Sequence, residues 1–466
     1  MRTVSLSRQV RGFRGKISNL TDQLFVGLAM VAGLTILVLV NPIGAIVPIV
    51  LFCILYVVSL STKIADTKQF TSLLLLVFAA FILEAVFRVR DYSDKSVDWQ
   101  VLLKALSLLA LLGLALIRIN DTLPAILNQT RVMWFVFFAW ICFSATYSPN
   151  ITYGMFGAFS LFSFYLFLLF VFRNFDETHV ILALIAATFL FCLISILTYF
   201  ALPEFGRMKV WYGNEQVISN RLSGIGGNAN TAGRQAALAL LLLALYAKEL
   251  KSLSRYIIPA VTVVAGLALL LSNSRTSMAL LLVILWFLWF CTEQRRGLFL
   301  TSLLIGICAF PVVILHSEAI LTAVSRSGDI TEITTGTGRS YIWSVVIQLI
   351  AEKPWFGWGY GSTLFILPEY SGDIRHTAPH AHNMLLQILV TTGFIGFGLF
   401  AIAFLIRLHD ALCARNRTVL TMMAFVSLNG LTEASAFAGV ANSATLALLI
   451  SIAVPLGTSP TSRSQT

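Results

Sequence analysis

The sequence predicts an all-α, polytopic membrane protein: a transmembrane helix bundle of about 12–14 spans with one large external loop containing short helices. Hydrophobic residues make up 58% of the chain and charged residues 11%, with a mean hydropathy of +0.86. A soluble domain carries about 25% charged residues. Apolar runs recur near the roughly 20-residue length that crosses a bilayer. One interruption, 317–382, is far longer than the usual helix connection of about 2–8 residues.

The apolar runs are expected to be helices, because lipid offers no hydrogen-bond partners to the backbone. In chain order they are 24–40, 43–60, 71–87, 101–117, 132–147, 151–172, 180–202, 231–247, 257–272, 276–291, 298–316, 383–406, 418–435 and 438–455. The first two share one apolar run that is broken only by "NPIG" at 41–44, which sets the lower end of the count. The basic N-terminus leads into further spans, so we expect no cleaved signal peptide.

The net charge of +11 follows the membrane topology. The segment 1–23 is basic and is predicted to be cytoplasmic, and the loops that alternate to the same side are richer in Lys and Arg than the outer loops. The tail 457–466 is also predicted to be cytoplasmic, which leaves 24–456 as a single membrane domain. This distribution suits a lipid bilayer as partner and gives no reason to expect nucleic acid.

The six cysteines are expected to be free. Five lie in predicted spans and the sixth lies in a predicted cytoplasmic loop: Cys53, Cys142, Cys192, Cys291, Cys308 and Cys413. None lies in an external loop, so neither a disulfide framework nor a cysteine metal site is predicted.

Three segments on the predicted external side hold most of the unusual polar residues. They are the segment 203–230, the turn "SNSRTS" at 272–277, and the long loop 317–382. The first of these runs into the next predicted span through "SNRLSGIGGNANTAG". Long connections of this kind often carry function. Within the loop, 338–354 is predicted to form a helix with one apolar stripe that ends at Pro354.

The helix is followed by "PWFGWGYG", in which glycines alternate with Phe356, Trp358 and Tyr360. The glycines permit a tight backbone path. The aromatic side chains could anchor the protein at the lipid interface or stack on sugar rings. Both interpretations remain open, and we favour interface anchoring.

Four arginines border or enter predicted spans on the external side: Arg221, Arg234, Arg275 and Arg339. Arg234 lies one turn inside its span and four residues after Asn230, so the two share a helix face. An arginine at this depth faces a partner or a polar cavity. Snorkelling, or pairing with Glu204, Glu215 or Glu433, would explain any one of them. Several from distant segments on one side favour an anionic ligand, because guanidinium groups fit phosphate oxygens.

The histidines His376, His380 and His382 lie at the end of the long loop. A metal site would need further ligands, and a capping or solvated role is the plainer alternative. A catalytic base is the role that we favour, because histidine titrates near neutral pH. His382 steps by four and three residues to Gly393 and Gly396 along one predicted helix stripe. Small residues there predict close helix packing below His382, with a neutral ring near the helix N-terminus.

These motifs together resemble the O-antigen ligase and Wzy-type polymerase superfamily. The matching stretches are "HNMLLQILVTTGFIG", "GRSYIWSVVIQLIAEKPWFGWGYG", "SNSRTS" and "RLSGIGGNANTAG". Their order and topology agree with the superfamily over about residues 200–400, whereas the first 200 residues are similar only as generic spans.

The resemblance implies inverting glycosyl transfer on the periplasmic face of a bacterial inner membrane, without a metal or other cofactor. The donor would be a glycan on undecaprenyl pyrophosphate, and the acceptor a sugar or a lipid-linked glycan. The implied base is His382, and the implied pyrophosphate ligands are Arg221, Arg275 and Arg339. Asn383 occupies the second position of the histidine motif. Asn230, Arg234, His380, Gly393 and Gly396 are predicted to support the site, of which Arg234 lies outside the matched motifs.

Several functions fit this resemblance. The long basic N-terminal extension favours an exopolysaccharide or O-antigen polymerase, which would work with chain-length regulators or export proteins. An O-antigen ligase that attaches polymer to lipid A-core is the main alternative. A lipid-linked oligosaccharide transporter would also need many spans, but the polar residues cluster on one face and corresponding broken helices are not evident. A non-catalytic assembly partner with the same fold is a further alternative.

The predicted sidedness can be tested with alkaline phosphatase fusions. A fusion within 317–382 is expected to be active, because the reporter needs an oxidising compartment to form its disulfides. A fusion after residue 456 should be inactive, since the tail is predicted to be cytoplasmic. An inactive fusion in the loop would overturn the assignment of the polar cluster to the periplasm.

Overall fold

A computed structural model describes residues 65–88, 98–212, 215–250, 257–290, 338–374 and 377–456. The predicted spans 24–40, 43–60 and 298–316, the first part of the long loop, His376 and the tail lie outside these residues. The N-terminal half of the described chain consists of α1 (Ala65–Glu84), α2 (Trp99–Ile117), α3 (Ile119–Ile126), α4 (Gln129–Ala145), α5 (Ile151–Asn174) and α6 (Glu177–Ala201).

The second half begins with a hairpin of β1 (Arg207–Tyr212) and β2 (Glu215–Leu222). It continues with α7 (Ala229–Tyr246), α8 (Ile257–Ser272), α9 (Arg275–Phe290), α10 (Arg339–Glu352), α11 (Met384–Cys413), α12 (Arg417–Gly430) and α13 (Ser443–Ala453). Short helical turns fill 363–374 between α10 and α11. The predicted all-α class is therefore confirmed, and the predicted runs within the described residues correspond to α1, α2, α4 to α9 and α11 to α13.

The described helices support a multi-pass membrane protein. Four of them, α2, α5, α6 and α11, are long and apolar enough to cross a bilayer. Shorter apolar helices also occur, at Gln69–Glu84, Arg131–Ala145, Ile257–Ser272, Arg275–Trp289 and Ser443–Ala453. The central helices α5 and α6 are mostly buried within the protein, so the bundle surrounds them.

The β-hairpin was not predicted from the sequence. Its strands pair antiparallel, with Val210 opposite Val217, between α6 and α7. The dipeptide Gly-Asn at 213–214 between two segments rich in β-formers is a known hairpin signal. The hairpin was missed because its strands are short and lie between two strongly apolar helical runs that dominate the hydropathy pattern. The hairpin matters for the site because β2 carries Arg221.

The helix predicted in the long loop is confirmed as α10. Gly338 precedes it in a left-handed conformation, and the helix ends two residues before Pro354. Its buried side chains, Ile342, Val346 and Leu349 among them, form a small core separate from the main one. This second core also includes Val390 of α11, so the loop is packed onto that helix.

The predicted stripe from His382 to Gly396 is wrong in two respects. The helix begins at Met384, so His382 lies before it, with a left-handed φ of 49°. The helix is also broken at Gly393, where φ is 67° and ψ is −173°. The stripe assumed an uninterrupted helix, whereas glycine here permits a backbone conformation that other residues rarely adopt. Gly396 does meet the expectation of close packing, because a Cβ there would lie 2.9 Å from the Trp140 ring.

The break in α11 is occupied by the segment 354–359 of the loop. The amides of Trp358 and Gly359 donate to the Val390 and Thr391 carbonyls, both at 2.8 Å. Beyond the break, the Phe394 amide donates to the Pro354 carbonyl at 2.7 Å. The loop backbone thus replaces helical hydrogen bonds that α11 lacks, as an irregular backbone inside a membrane protein requires.

The expectation of interface anchoring does not hold for the whole aromatic run. Tyr360 is fully buried and its hydroxyl donates to the Gly439 carbonyl at 2.6 Å. The Trp358 indole donates to the Leu349 carbonyl at 2.8 Å and is covered by Lys353. Phe356 remains 53% exposed. Of these three aromatic residues, Trp358 and Tyr360 therefore make inward contacts.

Gly393→Ala is expected to lower the free energy of unfolding by at least about 2 kcal/mol. Its Cβ would lie 2.2 Å from the Trp355 carbonyl oxygen, in a left-handed conformation. Gly398→Ala is the matched control in the same helix, because nothing lies within 4 Å of its Cβ position. The control should be neutral or slightly stabilising. Equal thermal unfolding of the two purified variants in detergent would contradict this account of the break.

Candidate active site

The carboxylate of Glu433 joins three distant parts of the chain. Its Oε1 accepts hydrogen bonds from Arg339 Nη2 and Asn230 Nδ2, both at 2.9 Å. Its Oε2 lies 3.1 Å from His382 Nδ1. Glu433 follows the end of α12 and is 6% exposed. A buried carboxylate needs such partners, because an unpaired charge there would be costly.

Asn383, which directly follows His382, anchors this part of the chain. Asn383 caps α11, with Oδ1 accepting from the amides of Leu385 and Leu386. The same side chain donates from Nδ2 to the Leu431 carbonyl at 3.2 Å, two residues before Glu433. Asn383 therefore connects the start of α11 to the segment that carries the carboxylate. The predicted supporting role of Asn383 has a geometric basis in this link.

His380 lies directly against His382. The two ring centroids are 4.1 Å apart and the rings are tilted by 66°. Although the residue as a whole is half-buried, its Nδ1 is buried and has no hydrogen-bond partner among the described residues. Burial, and then the neighbouring His382, lower the pKa of His380 to about 3. His380 is thus neutral at physiological pH.

Glu433 is held as a carboxylate by its neighbours. Burial alone would raise its pKa, but the hydrogen bond from His382 and the nearby positive charges, including Arg339, lower the pKa below its ordinary value. The ionised carboxylate therefore accepts from His382 Nδ1. His382 is then the neutral tautomer that carries its proton on Nδ1, and the other ring nitrogen, Nε2, has the free lone pair.

Arg221 extends this network to the predicted arginine turn. Its Nη2 donates to Asn230 Oδ1 at 3.2 Å, and Asn230 in turn donates to Glu433. Its Nε donates to the Ser272 carbonyl at 3.1 Å, at the end of α8. Arg275 begins α9 directly after this turn. The three segments that the sequence placed on one side are therefore adjacent.

Arg234 has a different partner from those considered in the sequence. It is 4% exposed and pairs with Glu84 of α1 at 3.2 Å, rather than with Glu204, Glu215 or Glu433. Its Nε also donates to the Ser443 hydroxyl at 2.7 Å. Glu84 was missed because it lies within the predicted span 71–87, where the apolar residues around it dominate the hydropathy. A buried acid in such a run is itself a signal of function or pairing.

These groups surround a cavity of about 300 Å³. Its lining includes both histidines, Glu433, Asn230 and the Arg234–Glu84 pair. The cavity therefore joins the His382–Glu433 pair to a second, buried ion pair. Asn230 and Arg234, which were predicted to share a helix face, both line this cavity.

The same residues offer a possible metal donor set. Ligand atoms of His380, His382 and Glu433 lie within 4.8 Å of one another. Imidazole and carboxylate groups are ordinary zinc ligands. However, the carboxylate already accepts from Arg339 and Asn230, and the Arg339 charge would repel a cation. The arrangement suits an oriented histidine better than a metal centre.

From the sequence, Glu433 was expected only as a partner for an arginine, whereas in the structure it contacts Arg339, Asn230 and His382. The signal was available: "LTEASAF" places one acid between two apolar runs near the C-terminus. Such an acid is a functional candidate by default. Its pairing with His382 could not be predicted, because the two residues are 51 positions apart.

Stability should fall as the pH is lowered from about 6.5 towards 3. The unfolded chain protonates its histidines near pH 6.5, whereas folded His380 does so near 3, so the unfolded state binds more protons in this window. Glu433 acts in the same direction below its ordinary pKa. His380→Asn should reduce the difference in melting temperature between pH 7 and pH 5. His409→Asn, at an exposed histidine, should leave the difference unchanged; equal slopes in all three proteins would contradict the prediction.

Comparison with known protein families gives a match that includes part of this site. Residues 260–401 match the O-antigen ligase family, Wzy_C. This range includes Arg275, Arg339, His380 and His382 and ends before Glu433.

Curated relatives carry related names. A general O-oligosaccharyltransferase of Acinetobacter baylyi is 28% identical over 178 residues, which are 36% of this chain and 31% of the relative. A Rickettsia conorii protein named as a polysaccharide ligase is 34% identical over 106 residues, 21% of this chain and 25% of the relative. The chain thus spans less than a third of the length of these relatives. The motifs, the helical membrane fold and these matches together support a relationship to the O-antigen ligase-like superfamily over this part of the chain.

Proposed function

We propose that this protein is a membrane glycosyltransferase of the ligase type, which transfers a glycan from a lipid pyrophosphate carrier to an acceptor hydroxyl. The observation that carries the proposal is the 3.1 Å contact between His382 Nδ1 and Glu433 Oε2 at the edge of a polar cavity. A histidine oriented by a carboxylate is the arrangement of a general base, as in hydrolase triads.

In this reaction His382 acts through Nε2. It accepts the proton of the acceptor hydroxyl as the oxygen attacks the anomeric carbon of the donor, and the bond from that carbon to the pyrophosphate oxygen breaks. Glu433 stabilises the imidazolium that forms, because its carboxylate already accepts from Nδ1. Attack from the face opposite the leaving group inverts the configuration at the anomeric carbon.

The pyrophosphate leaves with its negative charge and needs fixed cationic donors. Arg339 pairs with Glu433 through Nη2, and its other guanidinium nitrogens make no hydrogen bond to a described residue, so they can face the donor. Arg221 reaches the same cluster through Asn230, and Arg275 starts the helix that follows the adjoining turn. Removing one such donor typically costs about 10²–10³-fold in rate. Arginine neutralisation of the diphosphate would make a metal unnecessary.

The ligase interpretation replaces polymerase as the leading one. The N-terminal extension favoured an exopolysaccharide or O-antigen polymerase, but the matched relatives are named as ligases or as an O-oligosaccharyltransferase. We propose undecaprenyl pyrophosphate as the carrier, on the strength of the family resemblance. We also propose an inner-membrane location with the His382 site towards the periplasm, which the distribution of Lys and Arg supports. The single membrane domain 24–456 would include the whole site.

The proposal predicts that a strain carrying His382→Ala makes much less of the surface polysaccharide that depends on this transfer. Removing the base should reduce transfer about 10²–10⁴-fold, and Glu433→Gln should give an intermediate loss, because the base remains without its orienting charge. His409→Ala and Glu352→Gln, both exposed, are the matched controls and should retain full activity. A normal polymer ladder in the His382→Ala strain would exclude the base assignment.

The gel pattern also separates the two enzymes. A ligase defect removes all chains from lipid A-core while polymer still accumulates on the lipid carrier. A polymerase defect leaves single repeats attached to the core.

Purified protein that joins lipid-linked glycan to an acceptor in detergent would rule out a transporter. Activity should survive exhaustive chelation, and loss of activity restored by added zinc would favour the metal alternative at His380, His382 and Glu433.

A further inference from the structure

Two arginines meet at the end of the bundle opposite His382. Arg131, in the first turn of α4, donates from Nε to the Ile452 carbonyl at 3.2 Å. Arg407, near the end of α11, donates from Nε to the Ser451 carbonyl at 2.7 Å. A helical rise of about 1.5 Å per residue puts Arg407 on the order of 35 Å from His382. This cluster is therefore remote from the proposed active site.

Capping of α13 explains only part of this arrangement. Both guanidinium groups donate from Nε and Nη2 to carbonyls of residues 451–454 at the C-terminal end of α13, where the helix dipole favours positive charge. Neither Nη1 makes a hydrogen bond within the part of the chain that the structure describes. Arg407 is only 2% exposed. Both Nη1 groups are therefore available to a ligand in the adjoining cavity, and a guanidinium group at a helix end favours an anionic partner.

A cavity of about 290 Å³ lies beside the two arginines. Its described lining consists of Asn128, Arg131, Arg407, Asp410, Cys413, Ala414 and Leu456. Within this lining two arginines face one acid, so the cavity is positively charged. Asn128 directly precedes α4, and the N-terminus of a helix also favours an anion. The positive lining and the available N–H donors thus both favour a negatively charged ligand.

We propose that this cavity binds a phosphate-bearing anion. Paired guanidinium groups match phosphate oxygens in charge and in the direction of their N–H bonds. The cavity lies where α4 begins and where α11 and α13 end, which is the level of the headgroups if these helices span the bilayer. An anionic phospholipid headgroup and a free phosphate share this chemistry, and the experiment below distinguishes the two sources.

The test is calorimetric titration of the purified full-length protein in non-ionic detergent. The titrants are short-chain phosphatidylglycerol, short-chain phosphatidylcholine and inorganic phosphate. Arg407→Gln should weaken binding of phosphatidylglycerol about tenfold, as expected for a lost charged hydrogen bond. Arg417→Gln, at an exposed arginine in the first turn of α12, is the matched control and should bind like the wild type. Asp410→Asn keeps both arginines and should tighten binding about threefold by removing a nearby negative charge.

Binding of phosphatidylglycerol but not of phosphatidylcholine, with these variant effects, supports a lipid headgroup as the ligand. Saturable binding of inorganic phosphate that competes with the lipid and depends on Arg407 supports the soluble anion. Equal affinity in the wild type and Arg407→Gln, or an equal loss in Arg417→Gln, overturns the proposal. If Arg407→Gln fails to fold, Asp410→Asn decides the matter, since unchanged affinity in that variant also overturns it.

Discussion

The site depends on one buried carboxylate. Glu433 holds Arg339 of the loop helix, Asn230 of α7 and the His382 ring at hydrogen-bond distance. Arg221 joins the same network through Asn230. Each of these groups alone would be expensive to bury, and together they neutralise one another. The carboxylate therefore fixes the relative positions of segments that the membrane topology only brings to the same side.

The break in α11 is the second constraint, and it acts on the backbone. A continuous helix would leave no hydrogen-bond partners for the loop segment that crosses it. Gly393 adopts a left-handed conformation, and the Trp358 amide of the loop then pairs with the Val390 carbonyl of α11. This pairing attaches the loop to the helix that carries His382 at its start. The loop helix α10, with Arg339 at its first residue, is thereby set against the same site.

Two clusters of charge now mark the two ends of the bundle. At one end the His382–Glu433 pair and the Arg234–Glu84 pair line a polar cavity. At the other end Arg131 and Arg407 cap α13 and line a second cavity with excess positive charge. The first cluster is balanced by acids, which suits chemistry that needs an oriented base. The second carries excess positive charge, which suits an anion held at the level of the helix ends.

Much of the fold followed from hydropathy alone. Runs such as 257–272 and 151–172 correspond closely to α8 and α5, because lipid leaves an apolar segment little choice but a helix. Pro354 likewise marked the end of α10 correctly. The hairpin that carries Arg221 was missed, since its short strands are polar and lie between two strong helical signals.

The sequence by itself determined that the chain is a helical membrane protein, and it singled out His382 and the arginines as candidates. It could do so because burial in lipid and the cost of charge there act on each segment separately. Only the tertiary structure decided which residues touch. Glu433 meets His382 from 51 residues away, Arg234 meets Glu84 across 150, and Gly393 breaks its helix because a distant loop occupies the gap. Such contacts depend on how the helices pack together, which no local pattern specifies.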